Sequence, residues 1–492
     1  MNDPRARLGH QLSGLEPQPV LEALDRLRPV LRLGRGLGAI DASAAVALGA
    51  LLVRMHPHLE LDGDATLGVN PWGVTTVAEG VELFRRIAPT PTTPPATDFV
   101  LAIGASISGA DRWVGGTEWT AHLADAPVDA SSVNVGIGIH VSAALATALM
   151  FKVALAPVGL VSPPPAGEIV WNAVDYRRRP APDVVLGRPS LPLLAVLGGG
   201  SLGSSAAGVL GCHPIDDGES FFVDGDDFDP VKNTFRYPAA SGSQQGPKAE
   251  WIASMLQGAG WRCEPFVDSV KKWVASRPAP GFDGIAVSSV DTVDGRFQVA
   301  DVLARTTLSI GVDALTLHVQ REHLGDGMRC PFCDYVNERS PLSQAGVFAQ
   351  LTGLEEARIA RLLVEGETLT DADVTTVCRA RGLDPEWTSP LVGRRLQDLL
   401  DRVYAEAAFP AGSSGELVAV SAPFVSWIGG VLAAGEVLKA GYGLPLVDRR
   451  VEIDLLGEPP DFVHRRHADG TGRCPCASWV RRRWMNRLYG ER

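Results

Sequence analysis

Residues 191–211, LPLLAVLGGGSLGSSAAGVLG, constrain what this chain folds into more than any other stretch. An apolar run enters Gly198, Gly200 and Gly203, and a small-residue helical pattern leaves them. The order is strand, glycine turn, helix, which is what a nucleotide-binding α/β fold needs. The glycines permit a tight turn and let backbone N–H groups approach an anion, which the helix dipole favours. By itself the spacing also describes a strand–helix turn with no ligand, so the residues downstream decide.

Past the loop, SFFVDGDDFD is an apolar strand ending in carboxylates. Asp224 lies about twenty residues beyond Gly203, where an acidic side chain can bind a ribose hydroxyl, and Asp226 follows it. To this point a dehydrogenase fits equally well. Asn233-Thr-Phe-Arg236 and then Lys248, which opens the helix of GPKAEWIASML, do not suit one. Two cations after the ribose carboxylate match a triphosphate better than a nicotinamide, because each offsets phosphate charge and arginine can do so bidentately. Residues 284–289 read as another strand, ending at Ser289-Val-Asp291 and followed by Arg296. A carboxylate at that strand end can hold Mg²⁺, which is hard and oxygen-seeking. Taken singly, each of these residues also reads as a solvated surface charge. Their order and spacing together favour the site.

The seven cysteines are an odd number, and residues 1–14, MNDPRARLGHQLSG, lack the apolar core of a signal peptide. Both points argue for a reducing, cytoplasmic setting, where close cysteine pairs are more often metal ligands than disulfides. Cys330-Pro-Phe-Cys333 and Cys474-Pro-Cys476 are the close pairs, and four converging thiolates make a closed structural Zn²⁺ site. A redox C-x-x-C is the rival reading. Cys212 and Cys263 read as buried core thiols. The most apolar run, residues 141–161, is broken by Lys152 and Pro157 and reads as a buried helix and strand rather than a membrane span. Formal charge is −12 and the arginine tracts are short, so neither nucleic acid nor membrane is expected as a partner.

Upstream, residues 42–55 read as a helix and 58–61 as a strand. FVLAIGA at 99–105 is a strand running into a turn, and residues 132–155 give a glycine turn and a long buried helix. Gly34, Gly36 and Gly38 are oddly spaced, and no carboxylate clearly completes a site there. This is a Rossmann-like half without an intact phosphate fingerprint. It is either a degenerate copy of the second half or an independent α/β domain. A boundary is expected near Val185.

The set Gly198/Gly200/Gly203, Asp224/Asp226, Asn233/Arg236, Lys248 and Asp291/Arg296 resembles the ubiquitin-activating-type (ThiF/MoeB-like) adenylyltransferases. The core resemblance covers about residues 192–333, with a further match in the last eighty. Thr292 stands where the family has Asn, and the second cysteine pair is C-x-C where the family more often has C-x-x-C. The resemblance implies an α/β chain of four parts: an inactive adenylation-like half (1–185), an active adenylation domain (186–345), a helical insertion (346–412) and a return to the adenylation domain (413–492). It implies ATP and Mg²⁺ as cofactors, with structural zinc on the two cysteine pairs. The implied reaction joins the terminal glycine of a ubiquitin-like protein to AMP. Gly198, Gly200 and Gly203 would cradle phosphates, Asp224 would hold the ribose, Arg236 and Lys248 would offset charge, Asp291 would hold Mg²⁺, and Asp226 and Asn233 would complete the site. In that family the thioester cysteine lies between the two zinc pairs, where Cys378 stands in Thr-Thr-Val-Cys-Arg. Cys378 reads equally as a small apolar helix residue. Implied partners are the ubiquitin-like protein, a conjugating enzyme and a possible second copy of the chain, in a bacterial antiviral conjugation system. The alternatives are adenylation of a sulfur carrier or peptide without thioester transfer, a nicotinamide oxidoreductase, and a catalytically dead scaffold.

Overall fold

Leu193–Leu197 (LLAVL) is a strand and Ser201–Leu210 a helix, with the three glycines between and just inside them. The computed structural model describes residues 3–6, 8, 17–182, 187–313, 315–322, 328–336, 344–381, 389–396, 398–399, 410–411, 416–417 and 421–490. The boundary expected near Val185 falls outside them. Contacts divide the chain into two units, Met1–Gln18 with Asn337–Val420 and Pro19–Val336 with Ser421–Arg492.

The larger unit holds two sheets. The first contains β1 (Leu27–Leu33), β2 (Glu60–Asp62), β3 (Thr97–Ile103), β4 (Arg112–Gly116), β5 (Thr120–Ala124) and β6 (Ile169–Asn172), in the order β2-β1-β3-β4-β5-β6. The second contains β7 (Leu193–Leu197), β8 (Gly218–Val223), β9 (Trp261–Phe266), β10 (Phe282–Ser288), β11 (Ala304–Asp313), β12 (Thr316–Arg321) and β13 (Arg450–Asp454). Its order is β9-β8-β7-β10-β11-β12-β13. From β9 to β11 every pairing is parallel, and this is the doubly wound Rossmann order with its switch point between β7 and β10.

The two sheets share one plan. Strands β1 to β6 correspond in neighbour and direction to β7, β8, β10, β11, β12 and β13: three parallel pairings, then two antiparallel ones. Only β9 lacks a counterpart among the described residues. The first half therefore repeats the strand plan of the second, as the degenerate-copy reading expects.

Helices rich in small residues join the halves. Helix α1 (Ala39–Met55) follows β1, and α2 (Val77–Arg85) follows β2. Helix α3 (Ile137–Leu155) packs on β4 and β5, and α4 (Ser201–Leu210) follows β7. Helix α5 (Lys248–Ser254) precedes β9, and α6 (Val293–Val299) follows β10. Helix α7 (Pro423–Gly441) packs on β11 and β12 and also on α3 and α4, and α8 (Trp479–Tyr489) ends the chain. Close approach requires the small side chains: a Cβ on Gly430 of α7 would lie 2.3 Å from the Ser205 Cβ of α4. By length and hydropathy, Ile137–Val158 and Pro423–Gly441 would suffice to cross a membrane, yet both are mostly buried within the unit. Residues 141–161 were expected to hold a strand after the helix. They hold a short 3-10 turn, Ala156–Val158, because Pro157 interrupts the backbone and Gly159 turns it with φ +75°.

The smaller unit contains helices Gln344–Thr352, Glu356–Ala360 and Asp371–Arg381 around Leu354, Ile359, Leu369, Val377 and Leu396. The helical character expected over 355–407 holds for these segments; residues 382–388 and 400–409 lie outside the described set.

Candidate functional site

The strands β7, β8 and β10 end side by side, and the loops leaving them carry most of the expected site residues. Gly198 takes φ +99°, a backbone conformation other residues adopt with strain, and its N–H donates to the Val223 carbonyl at 2.9 Å. A Cβ at Gly203 would stand 2.3 Å from the Gly198 carbonyl oxygen, so α4 starts directly on the loop. Gly200 caps α4 without a side chain, leaving the first-turn N–H groups free of a side-chain cap. Ser289, after β10, donates its hydroxyl to the Gly198 carbonyl at 2.6 Å and ties the switch point together.

Asp224, at the end of β8, accepts from the Gly199 N–H at 2.5 Å and from the Asp226 N–H at 2.8 Å. Burial raises its carboxyl above the usual range, against these hydrogen bonds and the nearby Lys248. Lys248 is the first residue of α5, and its N–H donates to the Asp226 carbonyl at 2.9 Å. Its ammonium is largely buried and 2.9 Å from an Asp226 carboxylate oxygen. Burial pulls Lys248 down, but Tyr237, Asp226 and Asp224 outweigh it and hold the group above the usual lysine range. It stays charged.

Asn233 is buried and ends the one-turn helix Pro230–Asn233, its side-chain oxygen accepting from the Asp229 N–H at 2.9 Å. Arg236 is half-buried, and its Nε is enclosed without a hydrogen-bond partner among the described residues. Asp291 is exposed on the loop between β10 and α6. Thr292 spends its hydroxyl on the Gly295 N–H at 3.1 Å as the cap of α6. The guanidinium of Arg296 lies over the Tyr335 ring at 4.5 Å. One exposed carboxylate suits Mg²⁺, which is commonly held by one or two carboxylates together with substrate phosphates.

The first half has the same parts in altered form. Asp62-Gly-Asp64 ends β2 as Asp224-Gly-Asp226 ends β8, and Val77-Ala-Glu opens α2 as Lys248-Ala-Glu opens α5. Sequence reading placed the strand at 58–61 and so passed over this carboxylate pair; the repeated D-G-D is the signal that finds it. Asp62 pairs with Arg32 at 3.2 Å, and Asp64 accepts from the N–H groups of Ala65 and Ala78. Valine replaces the lysine. Asp41, buried in the first turn of α1, accepts from the Ser132 N–H at 3.3 Å.

Cys330, Cys333, Cys474 and Cys476 bring their sulfurs within 4.8 Å of one another. Adjacent sulfurs are 3.4, 3.5, 3.6 and 3.7 Å apart, too far for disulfides. A regular tetrahedron with metal–sulfur bonds of about 2.3 Å has edges of about 3.8 Å, so the donor set fits Zn²⁺ with no open position. The Asp469 N–H also donates to the Cys333 sulfur at 3.4 Å. The cluster sits in a core with Phe297, Phe332 and Val336, so the pairs join the chain's last segment to the second sheet's unit. Convergence of the second pair on the first favours a metal over a redox C-x-x-C.

Cys212 is buried, and burial pushes its thiol up to about 12. Cys263 departs from the expected buried core thiol: it is only half-buried, because β9 is the edge strand of its sheet. Cys378, on Asp371–Arg381, is 8% exposed in an apolar cluster with Val374, Val377 and Leu354. The neighbouring Thr376 hydroxyl donates to its own helix at Ala372 O, 2.8 Å, and Arg379 is exposed.

No protein-family model matches this chain, and no curated protein matches it. Among solved structures it is similar to MccB of E. coli in complex with ATP, at 12% identity and a TM-score of 0.31, over 58% of this chain and 66% of that one. It is similar to the microcin C7 biosynthetic enzyme MccB in complex with N-formylated MccA, at 12% identity and a TM-score of 0.30, over 58% of this chain and 67% of that one. A selenomethionine form of PaaA is similar at 13% identity and a TM-score of 0.29, over 56% of this chain and 72% of that one. The chain thus spans about two thirds of the length of MccB. Scores this low describe likeness and no more.

Proposed function

We propose that this chain is an ATP-dependent adenylyltransferase that activates the terminal glycine of a ubiquitin-like protein. The observation that carries the reading is the convergence at the β7–β10 switch point: a glycine-capped helix N-terminus, the Asp224 carboxylate, and Lys248 kept charged beside Asp226. A carboxylate oxygen of the substrate attacks the α-phosphorus of ATP, the bond from that phosphorus to the bridging oxygen breaks, and pyrophosphate leaves with the electron pair. Catalysis of this kind is positioning and charge neutralisation. The 198–203 loop receives phosphate oxygens, Asp224 turns an oxygen to the ribose, and Lys248 and Arg236 offset charge on the phosphates. Asp291 would hold Mg²⁺, which neutralises phosphate charge when bound. Zinc on the four cysteines is structural. Cytoplasmic location and a bacterial antiviral conjugation system belong to the same reading.

In the second step the Cys378 thiolate attacks the acyl carbon, its proton going to solvent, and AMP leaves before transfer to a conjugating enzyme. Burial of Cys378 among apolar side chains favours a second reading, adenylation with no thioester. ATP–pyrophosphate exchange tests the first step, with a ubiquitin-like protein ending in glycine as acceptor. Exchange should appear with the wild type and fall about 10²-fold or more in Lys248→Ala, the scale of losing one preorganised charge-stabilising group. Unchanged exchange in that variant would sink the reading. Cys378→Ser separates the two versions: exchange persists in both, and a thiol-labile enzyme–substrate adduct disappears only if the thioester forms there.

A further inference from the structure

Arg54 lies in the last turn of α1 in the first half and is completely buried. All the hydrogen bonds that its guanidinium makes among the described residues go to backbone carbonyls. One is Ala50, a turn back in its own helix, at 2.7 Å. The others belong to the second half: Thr234 at 3.3 Å, Tyr237 at 3.0 Å, and Ala240. The Phe84 ring of α2 lies 5.1 Å from the guanidinium carbon. Burial alone lowers this arginine to about 9. Enclosing a charge so deeply is costly unless its donors are met, and here backbone carbonyls meet them.

The bonds to the second half fall on residues 234–240. That segment starts beside Asn233 and contains Arg236, whose Nε is enclosed and unpartnered among the described residues, and Tyr237, whose side chain hydrogen-bonds with Lys248. The first half also crowds the segment's far side, where a Cβ on Gly242 would stand 2.7 Å from Ile87. The second half does not build this stretch alone.

We propose that Arg54 is a positioning residue for the second half's nucleotide site: it clamps residues 234–240 so that Arg236 and Tyr237 face that site. The first half, whose own loop lacks the lysine, is then a working part of the site rather than a relic. This rests on the adenylation reading above. The test uses the full chain with Arg54→Met and Arg54→Lys, ATP as the probe, and Arg236→Ala alone and combined. Expected are folded variants with at least tenfold higher KM for ATP in pyrophosphate exchange and a smaller change in kcat. Amide hydrogens of 234–242 should exchange faster, and Arg236→Ala should add little once Arg54 is gone. A folded Arg54→Met with wild-type KM and protection overturns the proposal, as do losses that multiply fully in the double variant. If both Arg54 variants unfold, Arg54 serves folding only and the proposal falls. A wild type that binds no ATP refutes the adenylation reading instead, and amide exchange then decides whether Arg54 holds the segment.

Discussion

The buried pair Glu436–Lys439 on α7 offers the sharpest test of what holds the two halves together. Neither side chain is exposed, and they are in direct contact. Glu436 also accepts from the Tyr176 hydroxyl at 2.5 Å and the Val447 N–H at 2.7 Å, while Lys439 donates to the Val174 carbonyl at 3.0 Å. Tyr176 and Val174 come from the first half, and α7 packs on the glycine-loop helix α4, so this cluster ties the first half to the helix that backs α4. Burial lowers Lys439 below the usual lysine range even with Glu436 beside it. Removing one partner strands the other charge, at a cost of about 3–5 kcal/mol. The stranded group can escape by neutralising, which sets a ceiling. At pH 7, protonating an ordinary carboxylate costs about 3.7 kcal/mol and deprotonating an ordinary lysine about 4.6 kcal/mol. Lys439→Met should therefore lose up to about 3.7 kcal/mol and Glu436→Gln up to about 4.6 kcal/mol. The pH dependences are opposite: the Lys439→Met deficit shrinks toward pH 5, and the Glu436→Gln deficit shrinks toward pH 9. Glu436→Gln/Lys439→Met should cost less than the sum, because no charge is stranded. Urea unfolding of the three variants at pH 5, 7 and 9 measures this. Single variants within about 1 kcal/mol of wild type, or deficits that ignore pH, would refute the reasoning.

Two further outcomes follow from other clusters. Purified protein should carry one zinc per chain; chelation, or Cys474→Ser, should lower Tm by several degrees and open residues after 466 to protease, and a metal-free chain of equal stability refutes the zinc site. Burial, helped by Glu118, pushes Asp41 up to about 6, above its unfolded value, so its contribution is complete below about pH 4 and lost as pH rises through about 6. Two pH units make that loss up to about 3 kcal/mol, so Asp41→Asn should flatten the stability curve between pH 4 and 7; an unchanged slope counts against it.

The second half was legible because its chemistry is local. Strand, glycine turn, terminal carboxylate and lysine-headed helix each lie within a few residues, and period and turn chemistry read such spans well. The C-x-x-C and C-x-C pairs were legible across the long insertion because thiols have few other reasons to come in pairs. The first half was legible only as a Rossmann-like half open to two readings, since Val77 stands where the second half has lysine and its glycines are misaligned. The repeated Asp-Gly-Asp and the strand order of the two sheets together reveal the shared plan. Arg54 shows the limit most plainly. Nothing around it in VALGALLVRMHP marks it, and its partners lie some 180 residues away in the chain. What the sequence by itself determined is which groups end each strand and open each helix, because those depend on neighbours in the chain. What only the tertiary structure decided is which segments of the two halves meet, because a buried guanidinium finds its carbonyls through packing and not through spacing.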